Sequence, residues 1–366
     1  MTKRILHIFG TMNRGGAEMR TLSLMEKMRD QGVQFDFCVL SGQHGVLDEQ
    51  IRQLGGQVYY CKLGLSFIPR FLHLLRHHKF AGVHSHVAYV SGFILLLARL
   101  AGISLRIAHF RNTTDGADES WVRKIRNRIL SYLIATCATH ILAVCIGAMR
   151  GFWRKNWPSD PKCQVIYNGF ELPKVALDQG FWQTYIPNYQ GQKIIVNVAR
   201  MDVQKNHLRQ CHIFVELLKI KPDVLMVFIG KEDATRKAAM MDLLVQHGIT
   251  DKVVFLGLQG DVIPFLRHAD LMLFPSLWEG LPGVVLEASS VGLPVLASDL
   301  SGIEEIAQQI SGVRIQALVT DDVQWAQQLA NMLDSEVDKQ QNLEQFKHSS
   351  FLMTSNIDKL YAIYSE

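Results

Sequence analysis

The sequence predicts an α/β protein of two domains, each with a parallel β-sheet that is covered on both faces by helices. Its 366 residues exceed one ordinary hydrophobic core and suit two. Short apolar runs, many of them β-branched, alternate with amphipathic stretches of helical length, which is typical of parallel sheets. The content of 48% hydrophobic and 20% charged residues is that of a compact globular chain.

The predicted strands form two sets. The first set is 4–9, 34–40, 57–60, 82–84, 105–108, 140–144 and 163–166, and the second is 193–198, 224–229, 252–256, 271–274 and 294–297. Each set predicts a Rossmann-like domain. A turn dipeptide and a proline interrupt the pattern at 168–173, so we place an N-terminal domain at 1–172 and a C-terminal domain at 173–349. A last helix is predicted at 356–364.

Neither a leader nor a membrane span is predicted. The apolar run at 5–10 contains His7, ends at Gly10 and is too short for a signal peptide. The longest apolar run, 93–98, is closed by Arg99, well short of the ~20 residues that a spanning helix needs. We therefore expect a cytoplasmic protein.

The cysteines also favour a reducing compartment. They are widely spaced and form no C-x-x-C pair, which indicates buried thiols and disfavours a disulfide framework or a zinc site. The six are Cys38, Cys61, Cys137, Cys145, Cys163 and Cys211.

Charge is distributed unevenly between the two halves. Residues 1–170 carry 22 Lys and Arg against 10 Asp and Glu, a net charge of +12, whereas the remainder carries 16 against 24, a net charge of −8. A basic half is suited to anionic lipid headgroups, nucleic acid or diphosphates, and solvated surface is the plainer alternative. We expect no nucleic-acid partner, because no aromatic-interleaved binding motif occurs.

Ligands of open parallel sheets bind beyond the carboxyl ends of the strands, so the loops there carry the candidate residues. Gly15 and Gly16 lie between the first strand and a helix, where backbone N–H groups and the helix dipole favour a phosphate. A tight turn without a ligand is the alternative. The spacing is not G-x-G-x-x-G, so a nicotinamide site is disfavoured.

His84-Ser85-His86 follows the fourth predicted strand. We expect His86 to lie past the strand end, facing any cleft between the domains, and to donate a hydrogen bond to a sugar or an acceptor. A structural histidine is one alternative. A metal site is another, but the sequence places no third Asp, Glu or Cys ligand nearby.

In the second half, Arg200 and Lys205 lie five residues apart after a strand. Together they could hold one diphosphate and stabilise a nucleoside-diphosphate leaving group without a metal ion, so we expect neither metal nor cofactor. Solvated basic residues are the alternative.

The sharpest signal follows the strand at 271–274. Two carboxylates, Glu279 and Glu287, frame the loop of Gly280, Leu281 and Pro282. The loop amides suit a phosphate, Glu287 suits the two hydroxyls of a ribose, and Glu279 can reach a transferred sugar. An acidic helix start that favours the dipole is the alternative.

Glu279-x7-Glu287 with Gly280-Leu281-Pro282 resembles the signature of retaining GT-B glycosyltransferases of family 4, in particular those of exopolysaccharide and capsule synthesis. Further motifs of that family occur in the same order: Gly15-Gly16-Ala17-Glu18, His84-Ser85-His86, Asn168-Gly169, Arg200 with Lys205-Asn206-His207, and Phe228-Ile229-Gly230. The resemblance covers nearly the whole chain.

The resemblance implies two domains that face each other across a cleft, with a last helix, within 350–366, that crosses back onto the N-terminal domain. It implies Gly16, Arg200 and Lys205 at the donor diphosphate, His86 at the donor sugar or acceptor, Glu279 at the sugar and Glu287 at the ribose. The loop His109-Phe110-Arg111-Asn112 departs from the His-Ser-His-Asn of many members, and the resemblance places it near the acceptor.

The expected reaction moves a sugar from a nucleotide-sugar, by default a UDP-sugar, to a glycan or polyprenyl-diphosphate-linked acceptor. The N-terminal half offers no evident carboxylate nucleophile, which disfavours double displacement. The resemblance implies front-face attack with retention of configuration, in cell-surface polysaccharide synthesis. A sugar-nucleotide epimerase of the same fold and a non-catalytic sugar-nucleotide-binding subunit are the alternatives.

One further segment has the composition of an interfacial helix. Residues 121–128 combine a tryptophan, two aliphatic residues and four cations over about two helical turns. We expect it to attach the protein peripherally to the anionic inner face of a membrane.

Overall fold

A computed structural model describes residues 2–112, 120–153, 156–335 and 338–366. The chain divides into two compact units. Unit 1 is Met1–Gly169 together with Met353–Glu366, and unit 2 is Phe170–Leu352. Both divisions lie three residues from the boundaries placed on the sequence.

Unit 1 contains a seven-stranded, fully parallel sheet in the order β3-β2-β1-β4-β5-β6-β7. The strands are β1 (Lys3–Phe9), β2 (Val33–Val39), β3 (Val58–Tyr60), β4 (Gly82–Ser85), β5 (Leu105–Phe110), β6 (His140–Ala143) and β7 (Cys163–Val165). The order reverses beside β1, because β2 and β4 pair with its two edges. This reversal is the switch point at which open sheets bind their ligands.

The strands of unit 1 are joined by helices in chain order. These are α1 (Gly16–Asp30), α2 (Asp48–Gln53), α3 (Phe67–His77), α4 (Ser91–Leu100), α5 (Trp121–Cys137) and α6 (Ile146–Phe152). Short 3-10 turns lie at Ala88–Val90 and Trp157–Ser159. Helix α4 packs against both α3 and α5, so these three helices form one continuous layer.

Unit 2 contains a six-stranded parallel sheet in the order β10-β9-β8-β11-β12-β13. Its strands are β8 (Lys193–Val198), β9 (Val224–Ile229), β10 (Val253–Phe255), β11 (Leu271–Phe274), β12 (Val295–Ser298) and β13 (Val313–Gln316). Its helices are α7 (Phe181–Tyr185), α8 (His207–Ile220), α9 (Ala234–Gln246), α10 (Ile263–His268), α11 (Gly283–Ser290), α12 (Ser301–Ala307), α13 (Asp322–Asp334) and α14 (Lys339–Lys347). Turns of 3-10 helix lie at Val203–Lys205 and Thr250–Lys252.

Strand β13 is absent from the sequence prediction, which gave unit 2 five strands. Its four residues include the exposed Arg314 and Ile315, and only Val313 is buried. It is an edge strand paired with β12 alone. A short edge strand carries no apolar run that marks it in the sequence.

The last helix, α15 (Met353–Ser365), belongs to unit 1. It shares a hydrophobic core with β1 and α1, to which it contributes Met353, Ile357, Leu360 and Ile363. Near its end Tyr364 is 1% exposed, and its hydroxyl lies 2.6 Å from Nδ1 of His84 on β4. The helix is therefore held by apolar burial and by one polar contact inside the sheet layer.

No helix among the described residues has the length and apolar character needed to span a bilayer. Five of the six cysteines are buried, as the sequence indicated, and Cys163 is half-buried.

Removing the Tyr364 side chain is expected to destabilise unit 1. Tyr364→Ala deletes a fully buried aromatic ring, so the free energy of unfolding falls by about 3–5 kcal/mol. Tyr361→Ala on the same helix is the control, because its side chain is 39% exposed and costs far less. Urea denaturation followed by circular dichroism measures both, and equal losses in the two variants would contradict a docked α15.

Candidate functional site

In unit 1, parallel pairing brings four histidines to one face of the sheet. His7 on β1 is opposite His84 on β4, and His84 is opposite Ile107 on β5. Since side chains alternate between faces with period two, His86 and His109 lie on the same face as these residues. The ring of His86 stacks on His7, with centroids 5.3 Å apart.

A guanidinium fixes the protonation of two of these rings. Arg111, just beyond β5, donates from Nε to Nδ1 of His86 at 3.1 Å, and Nε2 of His86 lies 3.0 Å from Nδ1 of His7. Arginine can only donate, so Nδ1 of His86 carries a lone pair and the neutral ring has its proton on Nε2. That proton is donated to His7, so both nitrogens of His86 are satisfied within unit 1.

A second chain of contacts continues from α15 into the sheet. Nδ1 of His84 lies 2.6 Å from the hydroxyl of Tyr364, and its Nε2 lies 3.0 Å from Nδ1 of His109. Both chains end at a buried nitrogen without a hydrogen-bond partner, Nε2 of His7 in one and Nε2 of His109 in the other.

Burial and one nearby charge keep the cluster neutral. Desolvation, followed by the charge of Arg111, lowers the pKa of His7 and His109 well below the usual histidine range. Desolvation and neighbouring histidines and Arg111 do the same to the pKa of His84 and His86. Arg111 itself has its pKa lowered to about 10 by burial and remains charged at neutral pH.

The sequence placed no third Asp, Glu or Cys ligand beside the His84–His86 pair, and the structure adds a third histidine. One nitrogen each of His7, His84 and His86 lies within 4.8 Å of the others. The sequence does not identify His7 as a third ligand, because this residue stands within the apolar run of β1. The guanidinium beside His86 opposes a bound cation by charge repulsion, and the imidazole lone pairs of His86 and His7 already accept hydrogen bonds.

The glycine turn of unit 1 has the predicted place between β1 and α1. Helix α1 begins at Gly16, its N-cap Gly15 is extended, and no side chain caps it. A Cβ on Gly16 would have no heavy atom within 4 Å, so the space beside this residue is open. A Cβ on Gly15 would lie 2.2 Å from Oε2 of Glu18, which places that carboxylate against the turn.

In unit 2, Lys205 and Glu279 come together at the carboxyl ends of β8 and β11. Nζ of Lys205 forms an ion pair with Oε1 of Glu279, and Ser276 donates to the same oxygen at 2.8 Å. The two charged side chains are only 15% and 9% exposed. Lys205 also lies over the ring of Phe274, 4.8 Å from its centroid.

Backbone contacts join the two loops that carry this pair. The carbonyl of Gln204 accepts from the amide of Leu277 at 2.8 Å, and the Gln204 side chain donates to the carbonyl of Trp278 at 2.6 Å. Asn206, in the left-handed conformation at φ 55°, donates to the carbonyl of Pro275 at 3.2 Å. These hydrogen bonds hold the loop after β8 against the loop after β11, and the two loops together position the ion pair.

The Gly280, Leu281 and Pro282 segment leads directly into α11, which begins at Gly283. Pro282 is the N-cap, and no side chain caps the helix. A Cβ on Gly302, in α12, would lie 1.8 Å from the carbonyl oxygen of Gly280, so only glycine lets α12 approach this loop. The close contact with α12 fixes the position of this loop. The backbone N–H groups at the start of α11, which directly follow the loop, have no side-chain cap.

The remaining two predicted residues have different surroundings. Glu287 lies on α11 and is half-buried. The Arg200 side chain is 72% exposed, and Nη2 lies 3.4 Å from Oδ2 of Asp202. In unit 2 the structure therefore joins Lys205 to Glu279, whereas Arg200 extends into solvent.

Several residues of these clusters were not singled out on the sequence. His7 was one polar residue inside a predicted strand, and Ser276 lay unremarked between a strand and Glu279. Arg111 stood in the loop that departs from the family pattern. The rule that strand ends share one edge could have grouped Arg111 with His86, because both follow predicted strands.

Two sequence profiles match the chain. Residues 15–169 match "Glycosyl transferase 4-like domain", and residues 179–350 match "Glycosyl transferases group 1". The capsular polysaccharide biosynthesis glycosyltransferase CapH of Staphylococcus aureus is 30% identical over 311 residues, which cover 83% of this chain and 84% of CapH. The chain therefore belongs to the family 4-like, group 1 glycosyltransferases.

Two further proteins illustrate the breadth of the likeness. UDP-Gal:α-D-GlcNAc-diphosphoundecaprenol α-1,3-galactosyltransferase of Escherichia coli is 29% identical over 254 residues, 63% of this chain and 60% of that protein. The crystal structure of Anabaena Alr3699/HepE in complex with UDP aligns with a TM-score of 0.81 at 16% identity over 100% of both chains. Unit 1 and unit 2 accordingly have the GT-B fold.

The neutral histidine cluster predicts a stability that is lost in acid. Folding lowers the pKa of these rings below the value of about 6.5 in the unfolded chain, so below that pH the unfolded chain binds protons that the folded unit does not. Their contribution is fully present near pH 7.5 and falls as the pH drops, by up to about 1.4 kcal/mol per pH unit for each ring.

His109→Asn should reduce that slope by about one proton, and the exposed His73→Asn is the control. Urea unfolding of unit 1 at intervals from pH 7.5 to 5 measures the slope. An identical slope for His109→Asn and the wild-type protein would show that folding does not lower the pKa of His109.

Proposed function

We propose that this glycosyltransferase transfers a sugar from a nucleotide-sugar, by default a UDP-sugar, to a glycan or polyprenyl-diphosphate-linked acceptor in cell-surface polysaccharide synthesis. The observation that carries the proposal is the Lys205–Glu279 pair with Ser276, fixed beside the uncapped start of α11. A cation and a row of backbone N–H groups at the carboxyl edge of a parallel sheet suit a diphosphate.

The relatives support the choice of substrates. The E. coli relative acts, by its name, with UDP-Gal on a diphosphoundecaprenol-linked sugar, and HepE was crystallised with UDP. CapH is named for capsular polysaccharide. We assign the nucleotide donor to unit 2, which contains the Lys205–Glu279 pair, and the acceptor to unit 1.

In the proposed reaction Lys205 exchanges its contact with Glu279 for the departing diphosphate. Its fixed charge then stabilises the negative charge that develops on the leaving group. Glu279, still held by Ser276, accepts hydrogen bonds from the transferred sugar, and Glu287 on α11 binds the ribose hydroxyls. Arg200 is exposed enough to turn toward the same diphosphate.

We propose retention of anomeric configuration by front-face attack. The acceptor hydroxyl approaches the anomeric carbon from the side of the leaving group, and the departing diphosphate oxygen takes its proton. In unit 2 the described contacts commit Glu279 to Lys205 and Ser276, an arrangement suited to positioning and charge stabilisation. Because Lys205 supplies the positive charge, activity is expected to persist in EDTA.

Kinetics of charge-removing variants test this assignment. Lys205→Met and Glu279→Gln should lower kcat by about 100- to 1,000-fold, since each acts on the developing charge or the moving sugar. Glu287→Gln should mainly raise KM for the donor. Lys193→Met, which removes an exposed lysine paired with Asp270 elsewhere in unit 2, is the control and should leave both constants unchanged.

A thermal-shift panel of UDP-, GDP-, ADP- and dTDP-sugars first selects the donor, because a ligand of the folded state raises Tm. Transfer to a polyprenyl-diphosphate-linked sugar is then followed by mass spectrometry, and NMR gives the new anomeric configuration. Full activity of both Glu279→Gln and Glu287→Gln would contradict the site. If incubation with the nucleotide-sugar alone, without an acceptor, yields its epimer, the proposed reaction is epimerisation and not transfer.

We further propose that unit 1 attaches peripherally to the anionic inner face of the cytoplasmic membrane. Along α5, Trp121, Ile125, Ile129 and Tyr132 are exposed at helical spacing and form one apolar stripe. Exposed cations of the same helix flank this stripe: Lys124, Arg126 and Arg128. This combination suits a lipid headgroup region.

Helix α3 of the same layer has a similar exposed surface. Residues 62–79 contain no Asp or Glu, and Arg70 and Arg76 are exposed there. Leu65 before the helix and Ile68 in its first turn are exposed apolar residues. Two helices of one layer, α3 and α5 on either side of α4, thus share the same chemistry.

Sedimentation with phosphatidylglycerol vesicles tests the attachment. Arg126→Gln with Arg128→Gln should weaken binding about 30-fold at low salt, since each cation near an anionic surface contributes about 1 kcal/mol. Lys219→Gln with Lys347→Gln in unit 2 is the control. Binding should fall at high salt and on phosphatidylcholine alone, and no binding of the wild-type protein at either salt concentration would end the proposal.

A further inference from the structure

Arg111 holds a position that the reaction proposed above does not use. Its side chain is half-buried at the carboxyl end of β5 and touches three separate parts of unit 1. Nε donates to Nδ1 of His86 at 3.1 Å, Nη1 to Oδ1 of Asn168 at 2.8 Å, and Nη2 lies 3.4 Å from Oγ1 of Thr21. The guanidinium plane is therefore fixed from three directions.

All three acceptors are neutral. His86 is an uncharged imidazole, Asn168 offers an amide oxygen, and the Thr21 hydroxyl donates its own proton to the carbonyl of Ala17. Among the described residues no carboxylate forms an ion pair with Arg111. These contacts orient the cation but include no ion pair, in contrast to Lys205, which is paired with Glu279.

An oriented, partly desolvated cation has a strong preference for an anion. Desolvation lowers the pKa of Arg111 to about 10, because burial disfavours the charged form. A guanidinium has five N–H donors, and three are engaged by the described contacts. Two donors in a fixed plane match two oxygens of one phosphate group.

The surroundings of Arg111 agree with a phosphate. Through Thr21 it is connected to α1, the helix that begins at Gly16 with no side-chain cap. The space beside Gly16 is open, so its backbone can approach a ligand. Glu18 lies close enough for its charge to act on Arg111, and burial raises the pKa of that carboxyl.

We propose that Arg111 is a phosphate-binding residue of unit 1, which takes one phosphate group of a diphosphate ligand at the carboxyl edge of β1, β4 and β5. The role of His86 in this arrangement is to accept a hydrogen bond and orient the guanidinium. The source of the diphosphate rests on the proposed function, where both the nucleotide donor and a lipid-linked acceptor carry one.

Calorimetric titration of the full chain with UDP, inorganic pyrophosphate and farnesyl diphosphate tests the proposal. Arg111→Met should weaken binding of at least one of these diphosphates tenfold or more, and Arg111→Lys, which keeps the charge, should recover part of the loss. If Arg111→Met loses affinity for UDP, the diphosphate that Arg111 binds is that of the donor. If the loss is confined to farnesyl diphosphate, it is that of the acceptor. Uridine, which has no phosphate, should bind all variants alike.

Arg106→Met is the matched control. Arg106 lies at the other end of the same strand, and its guanidinium is likewise held by neutral acceptors, the carbonyls of Ile103, Ser104 and Cys137. Burial lowers its pKa too. A general loss of unit 1 stability would therefore weaken both variants, whereas loss of a phosphate contact affects Arg111 alone.

Lys205→Met separates this proposal from the proposed function. If Lys205→Met abolishes UDP binding while folded Arg111→Met and Arg111→Lys bind every diphosphate like the wild-type protein, the donor site stands and the Arg111 proposal is overturned. If the wild-type protein does not bind UDP, the assignment of a UDP-sugar donor fails, and farnesyl diphosphate and pyrophosphate still decide on Arg111. Should Arg111→Met not fold, Arg111→Lys against Arg106→Lys gives the same comparison.

Discussion

Parallel pairing of the central strands is the constraint on which both clusters depend. When β1, β4 and β5 run in the same direction, their carboxyl ends meet at one edge, and residues from distant parts of the chain become neighbours. The same pairing of β8 with β11 brings Lys205 to Glu279, 74 residues further along the chain. A slip of one residue in either pairing would turn these side chains to the opposite face.

The two units treat buried charge differently. In unit 2 an ammonium and a carboxylate neutralise each other, and a serine hydroxyl supports the carboxylate. In unit 1 a guanidinium is surrounded by an imidazole, an amide and a hydroxyl. An ion pair must exchange one partner before it can bind a charged ligand. An oriented cation among neutral acceptors can bind an anion without breaking an ion pair.

The histidine cluster connects stability to the same edge of the sheet. Four neutral rings lie on one face of the sheet, over β1, β4 and β5. Tyr364 extends their contacts to the last helix. This arrangement requires the rings to remain uncharged, since a proton on any of them would lie in a desolvated interior beside Arg111. The neutral cluster therefore makes unit 1 sensitive to acid. It also holds the Arg111 guanidinium in a single orientation.

The sequence by itself determined the α/β class, the two Rossmann-like units and the family, because apolar periodicity and contiguous motifs such as Glu279-x7-Glu287 are local properties. It missed β13, an exposed edge strand with no apolar run. Only the tertiary structure decided that His7 joins His84 and that Arg111 binds His86, since strand order and register are not written in local sequence. It also decided that Lys205 pairs with Glu279, because that contact needs two loops which fold against each other.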